Sequence, residues 1–316
     1  MSDGRYSSMR LSLPGRAQLV VALLATGAAS CSTASRNQQN QLSNGLPTTA
    51  SASLPPWLIG RWTREWIERR GVRSSTSTVH YLQTPSLFAD VRFPNDRPSF
   101  AHAKSFADLS DAELRVLARQ RGFAGRTTTS GDTATWHHEI DFQPSDASAD
   151  IGRLERVGDS GMYEHAIDSS YVESWKSVAS GDGRFLAVRV ERAGRLERTL
   201  LVVGDHFLYV RNRAKDLPAA PSIDSLIVAT HATRAQIIEF LDCELSVGRV
   251  RGGSVPWAIE RSTLPWLEGR PLAFADEVAV SSPAALGPRT ASSDRWSLPV
   301  NTLTAADLAT LFPQQR

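Results

Sequence analysis

The sequence predicts a mainly β protein, an antiparallel β-barrel with a few peripheral α-helices. Three observations carry this expectation. Between residues 61 and 211, short runs rich in Thr, Val, Tyr, Phe and Trp follow one another closely. Gly/Asp turns separate them, as at Gly158-Asp159, Gly181-Asp182-Gly183 and Gly204-Asp205. Helical patterning behind a capping residue occurs at only three places. Many short strands with turn signals between them are the pattern of barrels and sandwiches.

The first segment is of another kind. Arg10 and Arg16 supply a basic start, Leu19-Val20-Val21-Ala22-Leu23-Leu24-Ala25 is a short uncharged apolar core, and Ala28-Ala29-Ser30 precedes Cys31. This is the layout of a secretory signal peptide over residues 1–30, with Met1 or Met9 as its start. A membrane-spanning helix needs about 20 apolar residues, and this core is shorter. The cysteine after small residues resembles a bacterial lipobox, although Ala28 stands where a lipobox usually has Leu. Cys31 is therefore the expected lipidation site, carrying diacylglycerol and palmitate chains. The expected location is a bacterial cell envelope, lipid-anchored and facing the periplasm or exterior, with free secretion as the alternative.

Residues 31–54 are rich in Ser, Thr, Asn and Gln, with Asn37-Gln38-Gln39-Asn40-Gln41 at their centre. Such a stretch has no apolar face to bury and is expected to form a disordered tether. Residues 55–316 then form the folded domain, a barrel with a C-terminal helical and strand extension. Its charge excludes one class of partner. The whole chain is +2, and residues 1–30 hold Asp3, Arg5, Arg10 and Arg16, which also sum to +2. The mature protein is near neutral, with no general electrostatic reason to bind nucleic acid.

Strands are expected at residues 61–67, 76–82 and 87–93. A hairpin is expected around Ser130-Gly131-Asp132, joining 127–129 to 133–142. Further strands read at 152–157, 162–167, 171–177, 185–191, 197–203 and 206–211, and again at 257–260 and 274–281. Helices start at Ser110, with Glu113 in capping-box position and Gly122 past the end, and near Thr233, with Gln236 three residues on and Ile237, Ile238, Leu241 and Leu245 along it. Thr304 caps a short last helix bearing Leu308 and Leu311. Cys243, beside Phe240, Leu241 and Leu245, reads as a buried small hydrophobe, and no disulfide is expected.

The chemistry-bearing strings are few. Gly158-Asp159-Ser160-Gly161 matches the core of a trypsin-like nucleophile loop, but Met162-Tyr163 follows where that loop has Gly-Pro, so it reads as a hairpin turn. Trp136-His137-His138-Glu139-Ile140-Asp141-Phe142 holds the densest set of ligand-type side chains. Strict alternation puts Trp136, His138, Ile140 and Phe142 on one face and His137, Glu139 and Asp141 on the other, which splits any metal set. No metal and no cofactor are expected. Glu173 shares a face with Tyr171 and Trp175, and Asp90 shares one with Arg92.

Gly60-Arg61-Trp62 looks like the Gly-x-Trp start of lipocalin-like folds. The run from Tyr81 through Thr84-Pro85 to Asp90-Val91-Arg92, with Arg97-Pro98, Trp136 through Pro144, and Tyr171 through Trp175, resembles bacterial proteins similar to a fungal lipocalin-like family of unknown function. The resemblance covers roughly residues 56–213, with an extension to 265 at its widest, and implies a lipocalin-like antiparallel β-barrel. It implies no activity and no functional residues.

The leading functional expectation is non-enzymatic binding of a small, partly apolar ligand inside the barrel. Arg92, His138 and Glu173 are the expected polar contacts, with Trp136 and Trp175 as walls. One alternative is a surface interaction protein of an envelope complex. The other is an acid–base enzyme using His138, Glu139, Asp141 or Glu173.

Overall fold

The computed structural model describes residues 53–145, 149–180, 183–251, 255–280 and 294–312. The signal peptide, Cys31 and most of the tether lie outside the described residues. Among the described residues, no helix is long and apolar enough to cross a membrane.

The first half of the chain supplies β1 (Gly60–Arg69), β2 (Val72–Ser74), β3 (Ser77–Gln83), β4 (Leu87–Pro94), helix α1 (Asp111–Leu117), β5 (Arg121–Ser130), β6 (Thr133–Asp141), β7 (Asp150–Val157), β8 (Gly161–Ala166) and β9 (Val172–Val178). Neighbours pair antiparallel in the order β1-β3-β4-β5-β6-β7-β8-β9, and β9 pairs back onto β1. Eight strands thus close into an antiparallel barrel, which removes exposed strand edges. β2 is a short extra strand folded back on the end of β1.

The second half supplies β10 (Phe185–Arg192), β11 (Arg195–Val203), β12 (His206–Arg211), α2 (Ile223–Thr230), α3 (Arg234–Leu241), β13 (Glu244–Arg249), β14 (Ala258–Ser262), α4 (Ala273–Val280), β15 (Asp294–Asn301) and α5 (Ala305–Leu311). Its strands form an open antiparallel sheet in the order β14-β13-β12-β11-β10-β15. One face, with Leu201, Leu208, Val210 and Val247, packs on outward residues of β3 and β4 such as Leu82, Ala89 and Val91. The other face, with Val188, Val202 and Tyr209, is covered by Phe274 and Val278 of α4 and Leu311 of α5.

This second sheet corrects the expectation of one meander through residue 211. The strands near 185–191, 197–203 and 206–211 exist, but the barrel has already closed at β9. Sheets buried on both faces give near-continuous apolar runs, so these strands read like barrel strands. Residues 274–280 are helical, not a strand: Phe274, Ala275 and Val278 fall at helical spacing on one buried face. Leu245 lies in β13 rather than in α3, and Gly122 lies in β5. β15 and α2 were not expected, although Ser222 caps α2 through the amide of Ser225. The three expected caps are present as capping boxes, at Ser110, Thr233 and Thr304. Gly158-Asp159-Ser160 is the exposed turn between β7 and β8, and Cys243 is a buried free thiol.

The barrel interior is divided by depth. Trp62, Val79, Tyr81, Phe88, Trp136, Leu154, Met162 and Trp175 pack together in its lower part. A 3-10 turn at Pro56–Leu58 closes that end, where the Trp62 indole donates to the Leu58 carbonyl at 2.9 Å. The other end stays open, and one seam in its wall is short. β1 pairs β3 only from Gly60 to Trp62, after which the end of β1 turns to β2.

Candidate binding site at the open end of the barrel

The site begins with alternation along β4. Leu87, Ala89, Val91 and Phe93 pack outward, so Phe88, Asp90 and Arg92 face the interior. The Arg92 Nε donates to Asp90 Oδ1 at 2.7 Å. From the facing strands, Glu173 accepts from Arg64 at 2.5 Å and lies 3.6 Å from Arg92. These charges sit above the aromatic floor, and each carboxylate has a cation. Burial pushes the Asp90 carboxyl up, and Arg92 opposes that shift.

β6 departs from strict alternation. Its register against β5 shifts between Ala124 and Gly125, so His138 pairs Gly125 and Ile140 pairs Ala124. Glu139 is the extra residue of a β-bulge. The bulge corrects the expected faces. Ile140 and Phe142 join the outer core, while Asp141 swings in beside His138. Glu139 points out of the barrel and binds Arg189 of β10 through two bonds of 2.6 and 2.9 Å.

His138 is held on three sides. Its Nδ1 lies 2.7 Å from Asp141 and its Nε2 3.1 Å from Asp150, at the start of β7. Its ring stacks on Phe123, and Arg92 lies over Phe123, 5.1 Å from the ring centroid. Burial opposes a charge on the imidazole, but the two aspartates outweigh it and push the pKa up to about 9.

A cleft of about 770 Å³ occupies the open end, lined by Arg92, Arg121, Phe123, Trp136, His138 and Asp150, among others. Ile151, Ala166, Ile167 and Tyr171 add apolar surface on one side. Below it lies a cavity of about 20 Å³ with Asp90, Glu164 and Trp175 in its wall. That is room for about one water. Arg92, Phe123, Trp136 and Asp150 line both spaces. Asp90 Oδ2 and Trp175 Nε1 are buried here without a hydrogen-bond partner among the described residues. Glu164 accepts from the Tyr171 hydroxyl at 2.8 Å. Burial, then Glu173 and Asp150, hold its carboxyl well above the usual carboxylate range.

All five expected contact residues thus face the barrel interior. Arg92, Trp136 and His138 line the cleft, and Trp175 lines the lower cavity. Glu173 lines neither and is engaged by two arginines. Of the acid–base set, Glu139 lies outside the barrel, and His138 has both nitrogens occupied. Sequence reasoning missed Arg121 and Asp150, and it did not select Glu164 or the Tyr171 hydroxyl as contacts. Alternation of Arg121 with Phe123, and of Met162 with Glu164, was a usable signal once the inward face was known. Among the described residues, no group of three or more His, Cys, Asp or Glu side chains is arranged to hold a metal ion.

No family model and no curated protein matches this chain. Among solved structures, the chain is similar to uncharacterized protein YLR301w from Saccharomyces cerevisiae. The match has 10% sequence identity and a TM-score of 0.48, and covers 77% of this chain and 98% of that one.

Proposed function

We propose that this is a binding protein that holds a small, partly apolar molecule at the open end of its barrel, tethered to a membrane by lipid on Cys31. The observation that carries the binding reading is the cleft of about 770 Å³, which shares Arg92, Phe123, Trp136 and Asp150 with a small cavity beneath it where Asp90 Oδ2 and Trp175 Nε1 have no hydrogen-bond partner among the described residues. Ligand sites combine an apolar wall with a few fixed polar groups. Here Trp136, Phe123 and Ile167 are the wall, and Arg92, His138 and Asp150 the fixed groups. The packed floor of Trp62, Tyr81, Phe88 and Met162 keeps the ligand in the upper part of the barrel. An acid–base role for His138 has less support, because an imidazole charged at neutral pH with both nitrogens engaged is not a free base.

Native mass spectrometry of the protein purified gently from its own cells tests the binding reading. A reproducible small added mass, lost on denaturation and absent from Trp136→Ala, is the expected result. A bare mass, with no tryptophan-fluorescence response to a panel of lipids and metabolites, counts against it. Metabolic labelling with a palmitate analogue, lost in Cys31→Ala, tests the anchor.

A further inference from the structure

The seam between β1 and β3 opens into a second cleft of about 420 Å³. Among the described residues, its wall contains Arg64, Arg69, Arg92, Arg119 and Arg121 and no acidic residue. The hydroxyl residues Ser74, Thr76 and Ser77 line it as well. Only part of this charge is answered. Arg119 is paired with Asp96 at 3.1 Å. Arg64 and Arg92 share Glu173, and Arg92 also holds Asp90. Arg69 lies over the Tyr171 ring, 5.4 Å from its centroid, with no carboxylate in ion-pair range among the described residues. The Arg121 side chain, whose strand neighbour across the ladder is Arg92, has no hydrogen bond or ion pair among the described residues. Among the described residues, Arg64 and Arg92 are thus answered by Glu173 and Asp90, while Arg69 and Arg121 have no ion-pair partner.

Burial pushes the Arg121 pKa down, and Arg92, Arg69 and Arg64 push it further. A folded protein that gathers like charges destabilises itself unless a counter-charge arrives. A guanidinium presents a planar fork that fits the paired oxygens of phosphate or carboxylate. We infer that the seam cleft is an oxyanion-binding site, in which Arg69 and Arg121 grip a phosphate or carboxylate group of a small molecule. Arg64 and Arg92 stand behind them, already anchored by Glu173 and Asp90, and hold the positive field in place. The site goes beyond the binding reading of the mouth cleft, with which it shares Arg92 and Arg121.

The test is titration calorimetry of the full-length protein with inorganic phosphate and, separately, with succinate, at constant ionic strength set by chloride. Saturable binding of one or both is expected, and the stronger of the two identifies the group. Arg69→Gln and Arg121→Gln are each expected to weaken that binding about tenfold or more, as loss of a charge-assisted fork does. Arg115→Gln, whose partner is Asp224 on α2, serves as a control and is expected to leave it unchanged. Absence of saturable binding to both anions, or an unchanged dissociation constant in both cleft variants, overturns the inference. Arg69 lines the seam cleft and not the mouth cleft. Anion binding lost in Arg69→Gln, with no organic ligand found at Trp136, therefore sinks the mouth reading and leaves this one standing.

Discussion

The imidazole of His138 lies flat on the ring of Phe123, with centroids 4.2 Å apart and planes 13° from parallel. Asp141 and Asp150 hold its two nitrogens, and its pKa rises from the ordinary 6.5 to about 9. The folded state therefore binds a proton more tightly than the unfolded state. The resulting stabilisation is complete below about pH 6.5 and is lost as pH rises through about 9. Its size is about 3 kcal/mol, from a shift of two to three pH units. Urea denaturation between pH 6 and 10 checks this. His138→Gln is expected to flatten the alkaline loss, and an unchanged slope in that variant rejects the account.

Glu164 has the opposite relation to its surroundings. Its carboxyl is buried, then crowded by Glu173 and Asp150, so its folded pKa is raised. Stability from holding that proton is present below the ordinary 4.5 and falls as pH rises through the folded value. Glu164→Gln keeps the shape and removes the charge. We expect it to stabilise the protein near pH 8, with little gain near pH 4. Melting curves of both proteins at the two pH values decide it.

Two other histidines set the acid limit. Burial, then Arg61, pushes His80 and His206 down to about 4. Arg61 lies 2.6 Å from His206 Nε2, tying β1 to β12. Both imidazoles are favoured neutral in the folded state. The stability this contributes is present above about pH 6.5 and is lost as pH falls through about 4. His80→Gln and His206→Gln together should shift the acid-unfolding midpoint downward, followed by circular dichroism from pH 7 to 3.

Barrel and sheet are joined by the fork between Arg189 and Glu139. Arg189 is 6% exposed and also meets Glu191 at 2.9 Å. Arg189→Met leaves the partly exposed Glu139 with only Arg126, 3.6 Å away, and is expected to cost about 1 to 2 kcal/mol in urea denaturation. Pairing it with Glu139→Leu should recover most of that loss, which a double-mutant cycle measures. Strict additivity of the two changes would mean the fork does not join the layers.

The bulge in β6 depends on Gly125. A Cβ there would lie 1.9 Å from the His137 carbonyl oxygen and 3.1 Å from the Glu139 amide, both backbone atoms. Gly125→Ala should destabilise the protein by more than about 3 kcal/mol, a size typical of forced backbone movement. It should also lower the His138 pKa, read by NMR, because Asp141 would leave its place.

Local chemistry made several elements readable. The Ser130-Gly131-Asp132 turn and the three capping boxes are set by side chains a few residues apart. The Asp90–Arg92 pair and the shared face of Glu173 and Trp175 follow from the two-residue period of a strand. The period held from Trp136 to His138 and failed at Ile140, past the extra residue Glu139, because a bulge is specified by what the facing strand can accept, here a glycine at 125. It failed again for Asp141, whose side followed from the bulge. Arg64 and Glu173 meet across 109 positions of sequence, and no local pattern reports such a pair.

The sequence by itself determined that residues 61–211 form short strands separated by tight turns, interrupted by a helix that starts at Ser110. It also determined that the chain carries a buried-type cysteine and three capped helices, because these depend on neighbours along the chain. Tertiary structure alone decided that β9 closes on β1, that the next strands leave for a second sheet, and that β1 parts from β3 above Trp62. It also decided which arginines keep an acidic partner and which do not. Those outcomes depend on which strand edges satisfy one another and on charges gathered from distant segments, and neither quantity is carried by any single stretch of residues.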